Sequence, residues 1–186
     1  MSDPGDNIFL VGPMGSGKTT VGRKAALRLG LDFVDCDEEI EARTGASVNL
    51  IFDVEGEEGF RKRETELILE LAEGKGRLVA TGGGAVLRPE NRQAMNSGGR
   101  VVWLRTPVDQ QVKRLEMDKK RPLLHRPDWI DRLGELAAER DPLYAEVADL
   151  VFDSRSRSVQ ATATQLVRAI LETWGKTEAG NAHALH

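Results

Sequence analysis

Gly12-Pro13-Met14-Gly15-Ser16-Gly17-Lys18-Thr19 satisfies the phosphate-loop pattern G-x-x-x-x-G-K-[ST] at every fixed position. Before it, Asn7-Ile8-Phe9-Leu10-Val11 is an apolar run of strand length, suited to a buried parallel strand. After it, Val21, Ala25, Leu27 and Leu29 recur at roughly helical spacing, with Arg23, Lys24 and Arg28 between them. Strand, glycine loop and helix in that order is the arrangement phosphate binding needs. Glycines let backbone N–H groups converge on phosphate oxygens without Cβ clashes, and the helix N-terminus adds its positive dipole end. Gly15, Ser16, Gly17, Lys18, Thr19 and Thr20 are therefore assigned to nucleotide binding, with Lys18 on the β and γ phosphates and the Thr19 hydroxyl on Mg²⁺. The competing reading, a glycine-rich turn that binds nothing, has the flanking strand and helix against it.

Around this loop the chain reads as one α/β domain, residues 1–174, followed by a frayed tail, 175–186, that lacks periodicity. No apolar run approaches the ~20 residues of a membrane span, and the first residues carry no basic-then-apolar leader. The single cysteine, Cys36, excludes an internal disulfide and a Cys-based zinc cage. Between two acids it is read as inert. A net charge of −4 gives no general pull toward nucleic acid. These features suit a cytoplasmic monomer with small-molecule partners, neither a nucleic-acid-binding nor a membrane protein.

Further along, Gly30 is expected to cap the first helix, and Phe33-Val34-Asp35 is a short strand ending in acid. Helices are expected at Glu38–Arg43, at Val48–Phe52 with Ser47 as cap, and at Phe60–Glu73, with a turn over residues 53–59. Leu78–Thr81 is a strand that runs into Gly82-Gly83-Gly84. A helix at Asn91–Met95, a strand at Val101–Leu104 and a helix begun by Pro107 follow. Trp129–Arg140 is a helix closed by Pro142, Leu150–Phe152 a last strand, and Val159–Trp174 a closing helix. Alternation of strands and helices predicts a parallel sheet covered on both faces. Ligands of such sheets bind beyond the carboxyl ends of the strands, which is where Asp35, the glycine triplet and the phosphate loop all fall.

Asp35 and Asp37 supply two carboxylates at a strand end, one for the hydration shell of Mg²⁺ and one to take a proton from an attacking hydroxyl. The alternative for Asp37 is a helix N-cap. The triplet offers exposed N–H groups and close ligand approach, against a plain turn. Arg61, read as lying near a helix start, opposes the macrodipole and asks for an anion: a ligand, or Glu57, Glu58 or Glu64. Arg140 at a helix end signals nothing alone. Lys119-Lys120-Arg121-Pro122 is either solvated charge or part of a lid, about 113–128, that brings Arg121 over the transferring phosphoryl group.

The ordered set Gly12–Thr19, Asp35-x-Asp37, Gly56-Glu57-Glu58-Gly59-Phe60-Arg61, Gly82–Gly84, Arg121-Pro122-Leu123-Leu124 and Arg140-x-Pro142-Leu143-Tyr144 resembles bacterial shikimate kinase from about Asn7 to Trp174. The resemblance implies transfer of the γ-phosphoryl group of MgATP to the 3-hydroxyl of shikimate. It also implies a three-layer α/β/α fold with a five-stranded parallel sheet in the order 2-3-1-4-5 and a mobile lid. By the same resemblance Asp37 contacts the substrate hydroxyls and is the base, and Asp35 stands behind Mg²⁺. Arg61 and Arg140 grip the carboxylate, and Gly83 meets a hydroxyl. Arg121 is the lid arginine, and Arg114 and Arg157 pack on adenine, with Arg155 a second choice beside Arg157. Two planar guanidinium forks suit one carboxylate. The rivals are a gluconate kinase or nucleoside monophosphate kinase on the same fold, and a nucleotide-binding switch with no small substrate.

Overall fold

The computed structural model describes residues 6–116, 126–153 and 158–175. Its centre is β1 (Asn7–Val11), buried at all five positions. β1 is flanked on one side by β3 (Arg77–Ala80) and then β2 (Asp32–Asp35), and on the other by β4 (Gly99–Arg105) and then β5 (Leu150–Asp153). All pairings are parallel, and the order is β2-β3-β1-β4-β5. Phe9 stands opposite Val79 in one neighbour and Val101 in the other. A central parallel strand is covered on both faces, which is why its sequence is apolar without alternation.

Alternate residues of the strands feed two cores. Phe9, Val11, Val79, Val101 and Trp103 pack under α2 (Cys36–Thr44), α3 (Val48–Glu73), α4 (Pro89–Gly98) and α6 (Trp129–Val147). Ile8, Leu10, Leu78, Val102 and Leu104 pack under α1 (Lys18–Leu29) and α7 (Val159–Ile170). The result is the expected three-layer sandwich, with α5 (Val108–Leu115) beside the phosphate loop. At the end of the sheet away from that loop, Asn7 is fully buried and satisfied. Its amide donates to Leu71 O, Gly74 O and Gly98 O, and its oxygen accepts from Arg77 N. β1 is thereby pinned at its start, so that its other end can present the loop.

Most predicted elements stand within a residue or two, Gly30 included, which takes the left-handed conformation as the α1 cap. Two differ in ways that shape the site. The two helices expected on either side of residues 53–59 are present, but the break between them is narrower: α3, Val48 to Glu73, leaves helical geometry at Gly56, whose φ is 71° and ψ 179°, and the residues around it are helical. Glutamates on both sides of Gly56 are good helix formers, and the Glu55–Arg63 ion pair spans the break. Arg61 therefore lies in the second turn after the break, behind Glu57 and Glu58, and the macrodipole misfit argued from a helix start does not hold, because that effect fades within one turn. Nor does Pro142 close α6, which runs on to Val147. The proline removes one backbone hydrogen bond, to the carbonyl four residues before it, and Leu133, Tyr144 and Val147 still bury the helix face. The closing helix is shorter than expected. α7 ends at Ile170, and Trp174 sits in a following wide turn, Leu171–Gly175, with the Arg100 guanidinium 4.9 Å from its ring centre.

Candidate active site

Gly12, Gly15 and Gly17 all have positive φ, as a loop that turns its N–H groups inward requires. A Cβ on Gly12 would stand 2.7 Å from Leu104 O, so this position tolerates no side chain. Lys18 opens α1, and its Nζ donates to Gly12 O at 2.6 Å and Pro13 O at 2.9 Å. The next residue, Thr19, donates its hydroxyl to Asp35 Oδ2 at 2.5 Å. On the far side of the loop, Arg114 donates to Gly15 O at 3.1 Å, and burial pulls its guanidinium pKa below the usual value. Thr20 is exposed at the first turn of α1.

The two aspartates divide their tasks. Asp35 caps α2, with its Oδ1 accepting from Asp37 N at 3.0 Å and Glu38 N at 3.1 Å. The capping role weighed for Asp37 thus belongs to Asp35, and Asp37 occupies the first turn of α2. Cys36 between them is buried. Burial first, and then Glu64, Asp37 and Asp35, push its thiol well above the ordinary range, in keeping with an inert residue.

The glycine triplet after β3 is where the remaining groups meet. A Cβ on Gly82 would stand 2.6 Å from Glu64 Oε1 and 3.4 Å from Asp37 Oδ1. One on Gly83 would stand 3.5 Å from Arg140 Nη1 and 3.7 Å from both Gly12 O and Met14 N, and one on Gly84 would stand 2.6 Å from Arg61 Cζ. Asp37, Arg61, Arg140 and the phosphate loop therefore border one short stretch of bare backbone. The triplet is a place of close approach and not a plain turn.

Two residues to which the sequence reading gave no site role complete the arrangement. Glu64 is fully buried. Its Oε2 accepts from Arg61 Nη1 at 2.7 Å, and its Oε1 has no hydrogen-bond partner among the described residues. Burial raises its carboxyl pKa, Arg61 and Arg140 pull it down, and Asp37 pushes it up. The signal was present: Glu64 falls in line with Leu67, Ile68 and Leu71, an acid inside an apolar helical stripe. Tyr144 is buried and donates its hydroxyl to Gly83 O at 2.5 Å. Arg121, Arg155, Arg157, His125, most of the expected lid and tail residues 176–186 lie outside the described residues.

A phosphate loop at the carboxyl edge of a central parallel strand, facing an acid and two arginines across bare glycines, defines a phosphate-loop kinase with a small anionic acceptor. The family model described as "SKI: Shikimate kinase" matches residues 14–171, and the chain belongs to the shikimate kinase family. It is 51% identical over 166 residues to the shikimate kinase of Pseudomonas savastanoi pv. phaseolicola, covering 89% of this chain and 96% of that protein. It is 48% identical over 176 residues to that of Stenotrophomonas maltophilia, covering 95% and 98%. Among solved structures it is similar to shikimate kinase from Acinetobacter baumannii in complex with shikimate, with a TM-score of 0.85, 46% identity and coverage of 91% and 94%. A gluconokinase from Sinorhizobium meliloti, 19% identical with a TM-score of 0.56, shares the fold alone.

Proposed function

We propose that this chain transfers the γ-phosphoryl group of MgATP to the 3-hydroxyl of shikimate, giving shikimate 3-phosphate and ADP, with the acceptor held against the glycine triplet. Family membership makes the chain an ATP-dependent shikimate kinase. The observation that carries the residue assignment is the common border: Asp37, Arg61 and Arg140 adjoin the same three glycines, and Gly83 adjoins the phosphate loop. A carboxylated polyol placed there has its carboxylate between two guanidinium forks and its hydroxyls toward Asp37.

Asp37 accepts the proton of the 3-hydroxyl as that oxygen bonds to the γ-phosphorus. The bond from phosphorus to the β–γ bridging oxygen breaks, and the electron pair leaves with ADP. Lys18 and the loop N–H groups hold the β and γ phosphates in line, and Arg121 closes from the lid on the charge that develops. Thr19 and Asp35 offer adjacent hard oxygen donors, which fit Mg²⁺ with most of its shell left to water and phosphate. When bound there, the ion screens phosphate charge. Arg114 and Arg157 flank the adenine. We place the reaction in the cytoplasm, in a monomeric single domain with no nucleic-acid or membrane partner. Among the described residues no helix is long and apolar enough to cross a membrane.

A coupled assay of ADP release with and without shikimate tests the reading. Turnover that requires shikimate and ignores gluconate is expected. Shikimate-independent hydrolysis, or binding of ATP without turnover, refutes it.

A further inference from the structure

Tyr144 is the only tyrosine in the chain and 1% exposed. Its ring is fixed by the core, 5.7 Å from the Trp103 ring centre and tilted by 34°. Its hydroxyl leaves that core and donates to Gly83 O, and the Arg140 guanidinium, one helical turn earlier on α6, is near enough to oppose the rise that burial causes in its pKa. The phenol thus gives its proton to the backbone of one group assigned to shikimate, and that same glycine adjoins the guanidinium of the other, since a Cβ on Gly83 would stand 3.5 Å from Arg140 Nη1. Burial raises its pKa above the usual value, so it remains protonated and a donor.

Both groups need the restraint. A run of three glycines has the widest backbone freedom of any sequence, and the Gly83 carbonyl belongs to the peptide that carries the Gly84 N–H. Anchoring that carbonyl fixes which way the peptide faces. The Arg140 Nε is buried with no hydrogen-bond partner among the described residues, so the orientation of its guanidinium depends on the contacts of its remaining nitrogens. α6 keeps its course through Pro142 despite the lost backbone bond, and only this continuation sets Tyr144 one turn beyond Arg140.

We propose that Tyr144 is a positioning residue for the acceptor, its hydroxyl locking the Gly83–Gly84 peptide and the Arg140 guanidinium in one register. The inference rests on the shikimate reading given above. It concerns shikimate alone and leaves the nucleotide half of the site untouched.

Tyr144→Phe removes one oxygen and keeps the packing. The KM for shikimate should rise about tenfold, the value of one well-placed hydrogen bond, with the KM for ATP within twofold of wild type. Combining Tyr144→Phe with Arg140→Lys should cost less than the two separate losses multiplied. Because the tyrosine is single, 3-fluorotyrosine labelling of the otherwise unchanged chain places one ¹⁹F reporter at this site. Its resonance should move on saturation with shikimate and stay in place with ADP alone. An unchanged shikimate KM, equal losses for both substrates, fully multiplicative losses, or a resonance indifferent to shikimate would each overturn the proposal. If Arg140→Lys raises the shikimate KM while Tyr144→Phe does not, only the positioning claim falls. If wild type shows no shikimate-dependent turnover, the underlying reading falls with it.

Discussion

Gly84→Ala tests the site through a methyl group that has no room. The backbone of Gly84, φ −94° and ψ 4°, lies in the bridge region that the third residue of a type I turn adopts, and it needs no positive φ, so the methyl group and not a left-handed backbone is the main perturbation. The added Cβ would lie 2.6 Å from Arg61 Cζ and closer still to Nη2, and ordinary contact begins at 3.4 Å, so the guanidinium must retreat by about 0.8 Å at Cζ and by more at Nη2. It is not free to swing. Its side chain is 11% exposed, bonded to Glu64 at 2.7 Å and paired with Glu57 at 3.4 Å. Displaced by that much, Arg61 loses its alignment with the shikimate carboxylate. A charge-assisted hydrogen bond is worth about 1.5–3 kcal/mol, which is roughly a 10- to 150-fold rise in shikimate Kd. Titration calorimetry reads this directly, with ATP affinity as the internal control. In an Arg61→Ala background the alanine at 84 should then cost almost nothing, because the group it displaces is gone. Losses that add fully in the double variant, or a Gly84→Ala enzyme that binds shikimate within twofold of wild type, would show that Arg61 does not act from this position.

Asp37→Asn should lower kcat by at least about a hundredfold, the usual share of a general base, while ATP Kd stays within twofold; near-normal turnover removes Asp37 from that role. Glu64→Gln should flatten part of the pH dependence of stability. Burial raises the folded-state pKa of Glu64 above the ordinary glutamate value of 4.5, so its contribution is fully present below that value and lost as pH rises through the higher folded value. Wild type should therefore lose Tm relative to Glu64→Gln as pH increases from 4.5, and a constant or opposite difference contradicts this. Gly134→Ala, at a helix position where a Cβ meets nothing within 4 Å, should gain up to about 1 kcal/mol with kcat unchanged. A destabilised variant would mean that α6 needs flexibility there.

What the sequence disclosed about the fold follows from where each signal resides. β1 and α1 were readable because a strand buried on both faces and a helix buried on one leave unmistakable local patterns, and the glycine loop between them has a fixed spacing. The sheet order was legible through resemblance and not through pattern, since periodicity says nothing about which strands are neighbours. Within the site, Asp37, Arg61 and Arg140 were legible as charges in a motif. Their convergence on the glycine triplet is a property of three segments far apart in the chain, and the same is true of the bond from Tyr144 to Gly83. Which of Asp35 and Asp37 caps α2 was open on spacing alone. It was decided by one cap, which needs a side chain aimed back at the α2 N–H groups.

Two of the places where the local reading needed correction lie beside an arginine proposed to hold the acceptor. Gly56 interrupts α3 five residues before Arg61, and Pro142 sits in α6 two residues after Arg140. Helix-interior glycine costs about 1 kcal/mol and proline about 3, so propensity alone argues for ending each element there. At Gly56 the backbone follows that propensity and leaves the helical region for one residue, whereas at Pro142 the helix runs on, with Leu133, Tyr144 and Val147 buried along its face. Phe60 and Tyr144 belong to the same core as the sheet residues Phe9, Val79 and Trp103, and each lies within a turn of an arginine that adjoins the glycines. Glycine permits the break at 56, and buried packing accompanies the continuation of α6 past 142, so each irregularity has its own local cause within two turns of an arginine that adjoins the glycine triplet. Gly56 takes a backbone conformation closed to most residues, and the α3 segment that bears Arg61 begins from it. Pro142 lies between Arg140 and Tyr144, and α6 must pass it unbroken for the Tyr144 hydroxyl to reach Gly83 O.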